Sequence, residues 1–282
     1  MNIAITAASG QLGSAIVHAL KRQIPADQIV AIARTPEKAN HLGVEVRKGD
    51  YQSQAEFEQA LQGIDAVLMI SANGNPMDRI PMHRNIIEAA KKSGVGKLVY
   101  TSIAGKFGPV VDSNMQTEAD IRNSGLEWVI GRNGLYIEAD LESLETYRQA
   151  GKIWNCAGEG KCSYTTRDEL AYAYSRMLLE DKHHGQTYYL AGEPLTQQEL
   201  VDHINQAFGT QLVYESMSVE AYQADRIEAW GEFMGGIIAA IYASIRNGDS
   251  QVNSSFQQAA GRPHISWEEY FRKYTNEGRS EQ

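Results

Sequence analysis

The chain has 282 residues, of which 43% are hydrophobic and 22% are charged, a balance typical of one large globular domain or a large domain with a smaller one. Its formal net charge of −9 argues against a protein that binds nucleic acid or an anionic membrane surface. The longest apolar stretch, FMGGIIAAIYASI at 233–245, is shorter than the roughly 20 residues of a membrane-spanning helix. No signal peptide precedes the first apolar run, so we expect a cytoplasmic location.

Apolar, β-rich runs alternate with helix-like stretches through the first half of the chain. Strands are predicted near 2–6, 28–33, 44–47, 65–71, 97–102 and 126–130, with helices between them. Runs such as AVLMI and KLVYTS are apolar throughout, as expected for strands that are covered on both faces. The pattern predicts an α/β protein with a doubly wound parallel sheet, the Rossmann fold.

The pattern changes after residue 150, where short strands and longer helical stretches follow one another. We therefore divide the chain into a dinucleotide-binding domain at 1–150 and a smaller, mostly helical substrate domain at 151–282. The strand-like segment near 186–191 is a candidate for return to the main sheet. Ser113 with Gln116, and Thr166 with Glu169, have the spacing of capping boxes and predict helix starts.

The loop after the first strand has the spacing of a phosphate-binding turn, Ala7-x-x-Gly10-x-x-Gly13 followed by a helix. Gly10 would let the backbone approach a pyrophosphate at the helix N-terminus, and Gly13 would let the helix pack closely on the strand. Ala7 occupies the position of the usual tight-turn glycine, which is compatible with the turn if its φ is negative. The alternative is a turn that binds nothing, so a second feature has to decide.

That second feature is Arg34, at the end of the second strand, where the adenosine ribose of a dinucleotide is expected. A carboxylate at this position would favour NAD, whereas a guanidinium suits the 2′-phosphate of NADP. Lys38 adds a second positive charge, and Asp50 after the third strand is placed to accept from the adenine amino group. The alternatives are a solvated arginine and an aspartate that only caps a turn.

Several stretches together resemble the NmrA-like branch of the atypical short-chain dehydrogenase/reductases, close to its quinone and triphenylmethane dye reductases. They include IAITAASGQLG, QIVAIARTPEKA, HRNIIEAAKKSGVGKLVYTS and TEADIRNSGLEWVIGRNGLY. GKIWNCAGEGKCSYTTRDELA, QTYYLAGEPLT and AAGRPHISWEEY extend the resemblance, so it covers nearly the whole chain. The family's loop normally has Gly and Thr where this chain has Ala7 and Ser9.

The resemblance implies the positions of the cofactor and of the substrate. The pyrophosphate would lie on the loop formed by Ala7, Ala8, Ser9, Gly10, Gln11, Leu12 and Gly13. The adenosine ribose and phosphates would be bordered by Ser71, Ala72 and Asn73, and the nicotinamide by Thr101 and Ser102. Asn133 to Tyr136 would face the nicotinamide and the substrate. NADPH is the implied cofactor, and we expect no metal.

The catalytic Tyr-x-x-x-Lys motif of typical short-chain dehydrogenases is missing, because none of the 14 tyrosines has Lys four residues later. Asn114 stands where relatives often have a basic residue. Alcohol oxidation, which needs a base, is therefore disfavoured, whereas hydride transfer to a quinone needs less help. Ser102, Asn133 and Tyr136 are the candidate donors to the developing oxyanion, each with a purely structural alternative.

Two functions remain open from the sequence. The first is an NADPH-dependent reductase of quinones or similar flat conjugated acceptors. The second is an NmrA-type redox sensor that binds the dinucleotide without turnover.

Other features carry weaker expectations. We expect His83 to be structural, and Cys156 and Cys162 to be reduced thiols rather than a disulfide or part of a metal site. We expect the apolar stripe GGIIAAIYASI at 235–245 to be a buried helix face, with an acceptor pocket wall or a homodimer interface as alternatives.

Overall fold

A computed structural model describes residues 1–72, 74–106 and 108–280 of the chain. The strands are β1 (Ile3–Ile5), β2 (Ile29–Ala33), β3 (Glu45–Lys48), β4 (Ala66–Met69), β5 (Lys97–Ile103), β6 (Glu127–Asn133), β7 (Leu135–Tyr136), β8 (Lys152–Asn155), β9 (Tyr164–Thr165), β10 (Gln186–Leu190) and β11 (Val213–Ser216). The helices are α1 (Gln11–Lys21), α2 (Gln54–Ala60), α3 (Pro76–Lys92), α4 (Gly108–Arg122), α5 (Glu138–Glu142), α6 (Leu144–Ala150), α7 (Arg167–Leu179), α8 (Gln197–Phe208), α9 (Val219–Arg246), α10 (Phe256–Ala260) and α11 (Trp267–Ser280).

Seven strands form one parallel sheet in the order β10-β6-β5-β4-β1-β2-β3. One face of the sheet packs against α1, α7 and α10, and the other packs against α2, α3 and Ile121 of α4. Both faces are therefore buried, which explains the unbroken apolar runs. The predicted doubly wound fold is confirmed, and each of the six predicted strands overlaps a strand of this sheet.

A second core lies outside the sheet and is built from α5, α6, β8, α8, α9 and α11. The chain returns to the first core after β8, because α7 packs on the main sheet and β10 is one of its strands. The division of the chain at residue 150 stays a prediction.

Of the two helix starts predicted from capping boxes, the one at Thr166 is observed and the one at Ser113 is not. Thr166 caps α7 by accepting a hydrogen bond from the backbone N–H of Glu169, as predicted. Ser113 does not cap α4, because that helix already begins at Gly108 and Ser113 lies inside it. The prediction of a helix start at Ser113 is wrong.

The apolar stripe at 235–245 lies on α9, which bends at Gly231. Ala239 and Ile245 are buried, so the stripe is a partly buried helix face. Cys156 packs against Ala239, and it and Cys162 are free, buried thiols. Among the residues that the structure describes, no helix is long and apolar enough to cross a membrane.

Candidate active site

A cleft of about 770 Å³ opens along the carboxyl ends of the central strands, where ligands bind in open parallel sheets. It extends from the end of β2 across β1 to β4, β5 and β6. Every predicted site residue that the structure describes lines it, except Ala8. Asn73 lies outside the described residues, and Ala8 is fully buried beneath the loop, with its N–H donated to the carbonyl of Ile32. Direct cofactor contact through the Ala8 side chain or N–H is therefore not supported.

The N-terminus of α1 forms one wall of the cleft. Gly10 is the N-cap residue, and no side chain caps the helix there. The first N–H groups of a helix have no partner inside it, and they carry the positive end of the helix dipole. Because Gln11, Leu12 and Gly13 all line the cleft, these free donors are available to an anionic ligand.

Ala7 has a left-handed backbone, with φ of +49°. The condition under which alanine would fit the turn without strain, a negative φ, is therefore not met. The turn closes through a hydrogen bond from the Gly10 N–H to the Ala7 carbonyl, at 3.0 Å. An L-residue in this conformation costs about 1–2 kcal/mol relative to the right-handed one. The chain thus keeps the glycine geometry of the turn although it lacks the glycine.

The part of the cleft that follows β2 carries positive charge. Arg34 and Lys38 are exposed and line the cleft, and within the described residues neither forms an ion pair. Asp50 also lines the cleft, and one of its carboxylate oxygens accepts a hydrogen bond from the Gln52 N–H at 3.0 Å. Asp50 therefore caps a turn and presents a carboxyl group to the cleft at the same time.

Side chains fix the backbone that follows β4. The N–H of Ser71 donates to Thr101 Oγ1, and the N–H of Ala72 donates to His83 Nε2, each at 2.9 Å. Burial lowers the pKa of His83 to about 3, with a smaller contribution from Arg79, so the ring is neutral. Its Nδ1 proton therefore faces Thr117 Oγ1, at 2.9 Å. His83 has the expected structural role, but in the middle of α3.

The Tyr136 hydroxyl is held at the cleft by Asn133, whose amide is oriented in turn by Tyr174. Tyr174 donates to Asn133 Oδ1 at 2.6 Å, which orients the amide so that Nδ2 donates to Tyr136 Oη at 3.2 Å. Burial raises the pKa of Tyr136, although Asn133 and Arg167 oppose the shift, so the phenol stays protonated at neutral pH. The Tyr136 oxygen accepts within the protein and its proton remains available to a ligand.

Ser102 is committed differently. Its hydroxyl donates to the fully buried Glu118 carboxylate at 2.7 Å. Burial would raise the pKa of Glu118, but hydrogen bonds from Arg132 and Ser102 outweigh it and hold the pKa below its usual value. The carboxylate is therefore ionised, and the Ser102 hydroxyl proton is engaged in the hydrogen bond to it. In this arrangement Ser102 offers only its oxygen lone pairs to the cleft, so the geometry does not support the predicted donor role.

Sequence reasoning missed two cations of the cleft, Arg79 on α3 and Arg167 at the start of α7. The Arg167 guanidinium lies 5.8 Å from the centre of the Tyr136 ring and pairs with Glu142. The cap at Thr166 located the start of α7, but nothing local placed that start at the cleft. Other lining residues missed by the sequence analysis are Thr35, Gly49, Tyr51, Gln52, Ile70, Met82 and Ile103, whereas Gly134 and Leu135 fall in the predicted segment from Asn133 to Tyr136.

Asn114 lines the cleft in place of the basic residue expected from the resemblance. Its side-chain oxygen accepts from Tyr100 at 2.8 Å and from Ser71 at 3.2 Å. It therefore links β4, β5 and α4 through uncharged groups.

The parallel sheet, the uncapped helix N-terminus and the cationic cleft define a dinucleotide-binding protein of the Rossmann class. The chain belongs to the NAD(P)H-binding family, whose model matches residues 7–171.

Relatives and solved structures agree with this assignment. The chain is 38% identical over 229 residues to quinone oxidoreductase 2 of Escherichia coli strain K12, covering 79% of this chain and 80% of that protein. The crystal structure of the NADPH-dependent quinone oxidoreductase of E. coli complexed with NADPH matches 96% of this chain and 99% of its own, with a TM-score of 0.90 and 33% identity. Triphenylmethane reductase from Citrobacter sp. matches 98% of this chain and 100% of its own, with a TM-score of 0.89 and 32% identity. The resemblance found in the sequence is confirmed.

Proposed function

We propose that the protein is an NADPH-dependent reductase that transfers a hydride to a quinone or a similar flat conjugated acceptor. The observation that carries the proposal is one continuous cleft with an anion-binding helix terminus in it and the free Tyr136 hydroxyl proton at one end. The names of the E. coli and Citrobacter relatives support the reaction class.

The residues at the cofactor end fit NADPH. The N-terminus of α1 suits the pyrophosphate, and the unpaired guanidinium of Arg34 with the nearby Lys38 suits a 2′-phosphate. When bound there, NADPH supplies a hydride, and the quinone takes up that hydride and one proton to become the hydroquinone.

Replacing Arg34 by alanine is expected to weaken NADPH binding far more than NADH binding. The lost charge-assisted hydrogen bonds correspond to about 1–3 kcal/mol, or roughly 5- to 150-fold in Kd. Isothermal titration calorimetry with both cofactors measures the difference, and Arg148→Ala, an exposed arginine on α6, is the control. An equal loss for both cofactors would place the ribose elsewhere.

The protein's contribution to the chemistry is to hold the acceptor and to provide a proton at Tyr136 Oη. Because its pKa is raised, the phenol acts as a donor to the developing oxyanion and not as a base. Asn133 positions this hydroxyl, and Ser102 supports the end of β5 through Glu118.

Tyr136→Phe is expected to lower kcat for quinone reduction by about 10- to 100-fold, the low end of general acid effects, because a conjugated oxyanion needs little protonation. The Kd for NADPH should stay the same, since the hydroxyl serves the acceptor. Stopped-flow single turnovers measure the chemical step, and Tyr172→Phe, on α7 and not among the cleft-lining residues, is the matched control. An unchanged kcat would assign the proton to water.

A turnover assay decides between the reductase and the NmrA-type sensor. The missing Tyr-x-x-x-Lys motif and Asn114 favour the sensor. Purified protein is mixed with NADPH and a panel of quinones, and the absorbance of the reduced cofactor is followed. The reductase requires turnover well above the uncatalysed rate. Tight NADPH binding without oxidation for any acceptor would support the sensor instead.

We also propose that the protein acts in the cytoplasm on a small acceptor, without nucleic acid or membrane partners. Its two buried free thiols support a reducing compartment. Trp230, Phe233 and Met234 are exposed apolar side chains near the bend of α9 that suit a homodimer contact. Light scattering that gives two chain masses would support the dimer, and one chain mass would contradict it.

A further inference from the structure

Arg79 is a buried cation in the cleft. It is only 9% exposed, yet it lines the cleft. Its Nε is buried and has no hydrogen-bond partner among the residues that the structure describes. The hydrogen bond from its Nη1 reaches the uncharged Ser113 Oγ at a long distance, 3.4 Å. Among the described residues no carboxylate pairs with it, unlike the neighbouring Arg84, which pairs with Asp120.

The described groups that interact with Arg79 are uncharged. Ser113 belongs to α4, Tyr100 to β5 and His83 to the next turn of α3, and the ring of His83 is neutral. Taking a charge out of water without a partner costs several kcal/mol. Burial accordingly lowers the pKa of Arg79. A guanidinium kept in such surroundings and open to a cleft is a site for an anion.

Arg79 lies on a different element from the phosphate groups already assigned. The N-terminus of α1 and the end of β2 are proposed for the pyrophosphate and the 2′-phosphate. Arg79 belongs to α3 and contacts Ser113 of α4, beside Tyr100 of β5, and the end of β5 also lines the cleft. Among the described residues, four cations and one carboxylate, Asp50, line the cleft of a chain with net charge −9, so the field there favours anions.

We propose that Arg79 binds an anionic substituent of the acceptor, a carboxylate, sulfonate or phosphate attached to its reducible ring system. The planar guanidinium lines the cleft and can offer parallel N–H donors to two oxygens of such a group. The inference rests on the proposed reductase function and adds a preference for acidic acceptors. Arg79 requires a ligand with an anionic oxygen. The pyrophosphate of the cofactor also has such oxygens, so the test has to distinguish it from the acceptor.

The test compares two acceptors, naphthoquinone and naphthoquinone carboxylate, in wild type and in Arg79→Gln. We expect kcat/KM for the carboxylate to fall by about 10- to 100-fold, the range for a lost charged hydrogen bond. We expect naphthoquinone turnover and the Kd for NADPH to change by less than about threefold. Arg79→Lys should recover part of the loss. Arg84→Gln removes the same charge from the exposed face of the same helix and should behave as wild type.

Three results would overturn the proposal. One is an equal loss for both acceptors, which would indicate a structural role for Arg79. Another is a loss of NADPH affinity that accounts for the change, which would assign the anion to the pyrophosphate. The third is an unchanged preference in Arg79→Gln. The variant is expected to fold, because it removes an unpaired buried charge.

Failure of the proposed function is distinguishable from failure of this inference. If the wild type reduces neither quinone, the reductase proposal fails. Titration of naphthalene carboxylate, which cannot be reduced, into the protein loaded with NADP⁺ still tests Arg79. Weaker binding in Arg79→Gln than in wild type supports the site, and equal binding overturns it.

Discussion

Replacing Gly13 by alanine is expected to destabilise the protein by about 2–3 kcal/mol, although Gly→Ala inside a helix normally stabilises by up to about 1 kcal/mol. A Cβ on Gly13 would lie 2.5 Å from the Ala7 carbonyl oxygen and 2.8 Å from the Ala8 Cα. Both are backbone atoms that cannot rotate away. The turn has to move, and Ala7 is already in a costly left-handed conformation. NADPH affinity should fall at least tenfold, because the displaced turn carries the phosphate-binding helix terminus.

Gly10→Ala is the matched control, three residues earlier in the same loop. There the nearest atom to the new Cβ is the Ala7 carbonyl oxygen at 3.3 Å, and φ of Gly10 is −82°, which alanine adopts freely. Its free energy of unfolding should change by less than about 1 kcal/mol. Urea denaturation and calorimetry with NADPH measure both variants. A Gly13→Ala protein as stable as wild type would contradict the close packing.

The stability of the protein is expected to fall as the pH rises from about 4 to about 6, through the buried Asp140. Burial raises the pKa of Asp140 from 3.8 to about 6, although hydroxyls of Tyr147, Tyr242 and Tyr164 partly oppose the shift. Below pH 4 the carboxyl is protonated in the folded and unfolded chains, so Asp140 does not lower the free energy of unfolding there. Above pH 6 it must be ionised in a core where the groups that face it are tyrosines and the Cys162 thiol, and this rise in the pKa lowers the free energy of unfolding by about 3 kcal/mol.

Asp140→Asn is expected to remove this dependence. The amide oxygen can accept from Tyr147 and Tyr242, as the carboxylate oxygen does at 3.2 and 3.3 Å. The variant should therefore be more stable than wild type by up to about 3 kcal/mol at pH 8 and nearly equal at pH 4. Urea unfolding of both proteins across this range isolates the term, with the exposed Asp202→Asn as control. Parallel pH curves for wild type and Asp140→Asn would refute the prediction.

The sequence by itself determined the fold class and several residues that line the cleft. Strand positions follow from apolar runs, and the turn before α1 follows from glycines at fixed spacing. The prediction for Arg34 could be made because the end of β2 is set by the same local pattern. These signals are local, since each depends on residues within one strand, turn or helix.

Only the tertiary structure decided what the side chains in the cleft do. The Ser102 hydroxyl donates its hydrogen bond to Glu118, which lies 16 residues away on another element. No periodicity in the sequence predicts that pairing. Ser113 has the spacing of a helix cap, yet it lies inside α4 and contacts Arg79 from α3. Ala7 has a positive φ because the close approach of α1 at Gly13 fixes the turn.

The physical reason is that burial and partner choice arise from the packing of distant segments. A hydroxyl or a guanidinium has the same local sequence signal whether it meets a carboxylate, a neutral group or solvent. Its charge state, its free donors and its role are set by what the fold places opposite it. In the part of the chain that the structure describes, the groups that interact with Arg79 are neutral, and this makes a helix residue without any sequence signal the anion site proposed here.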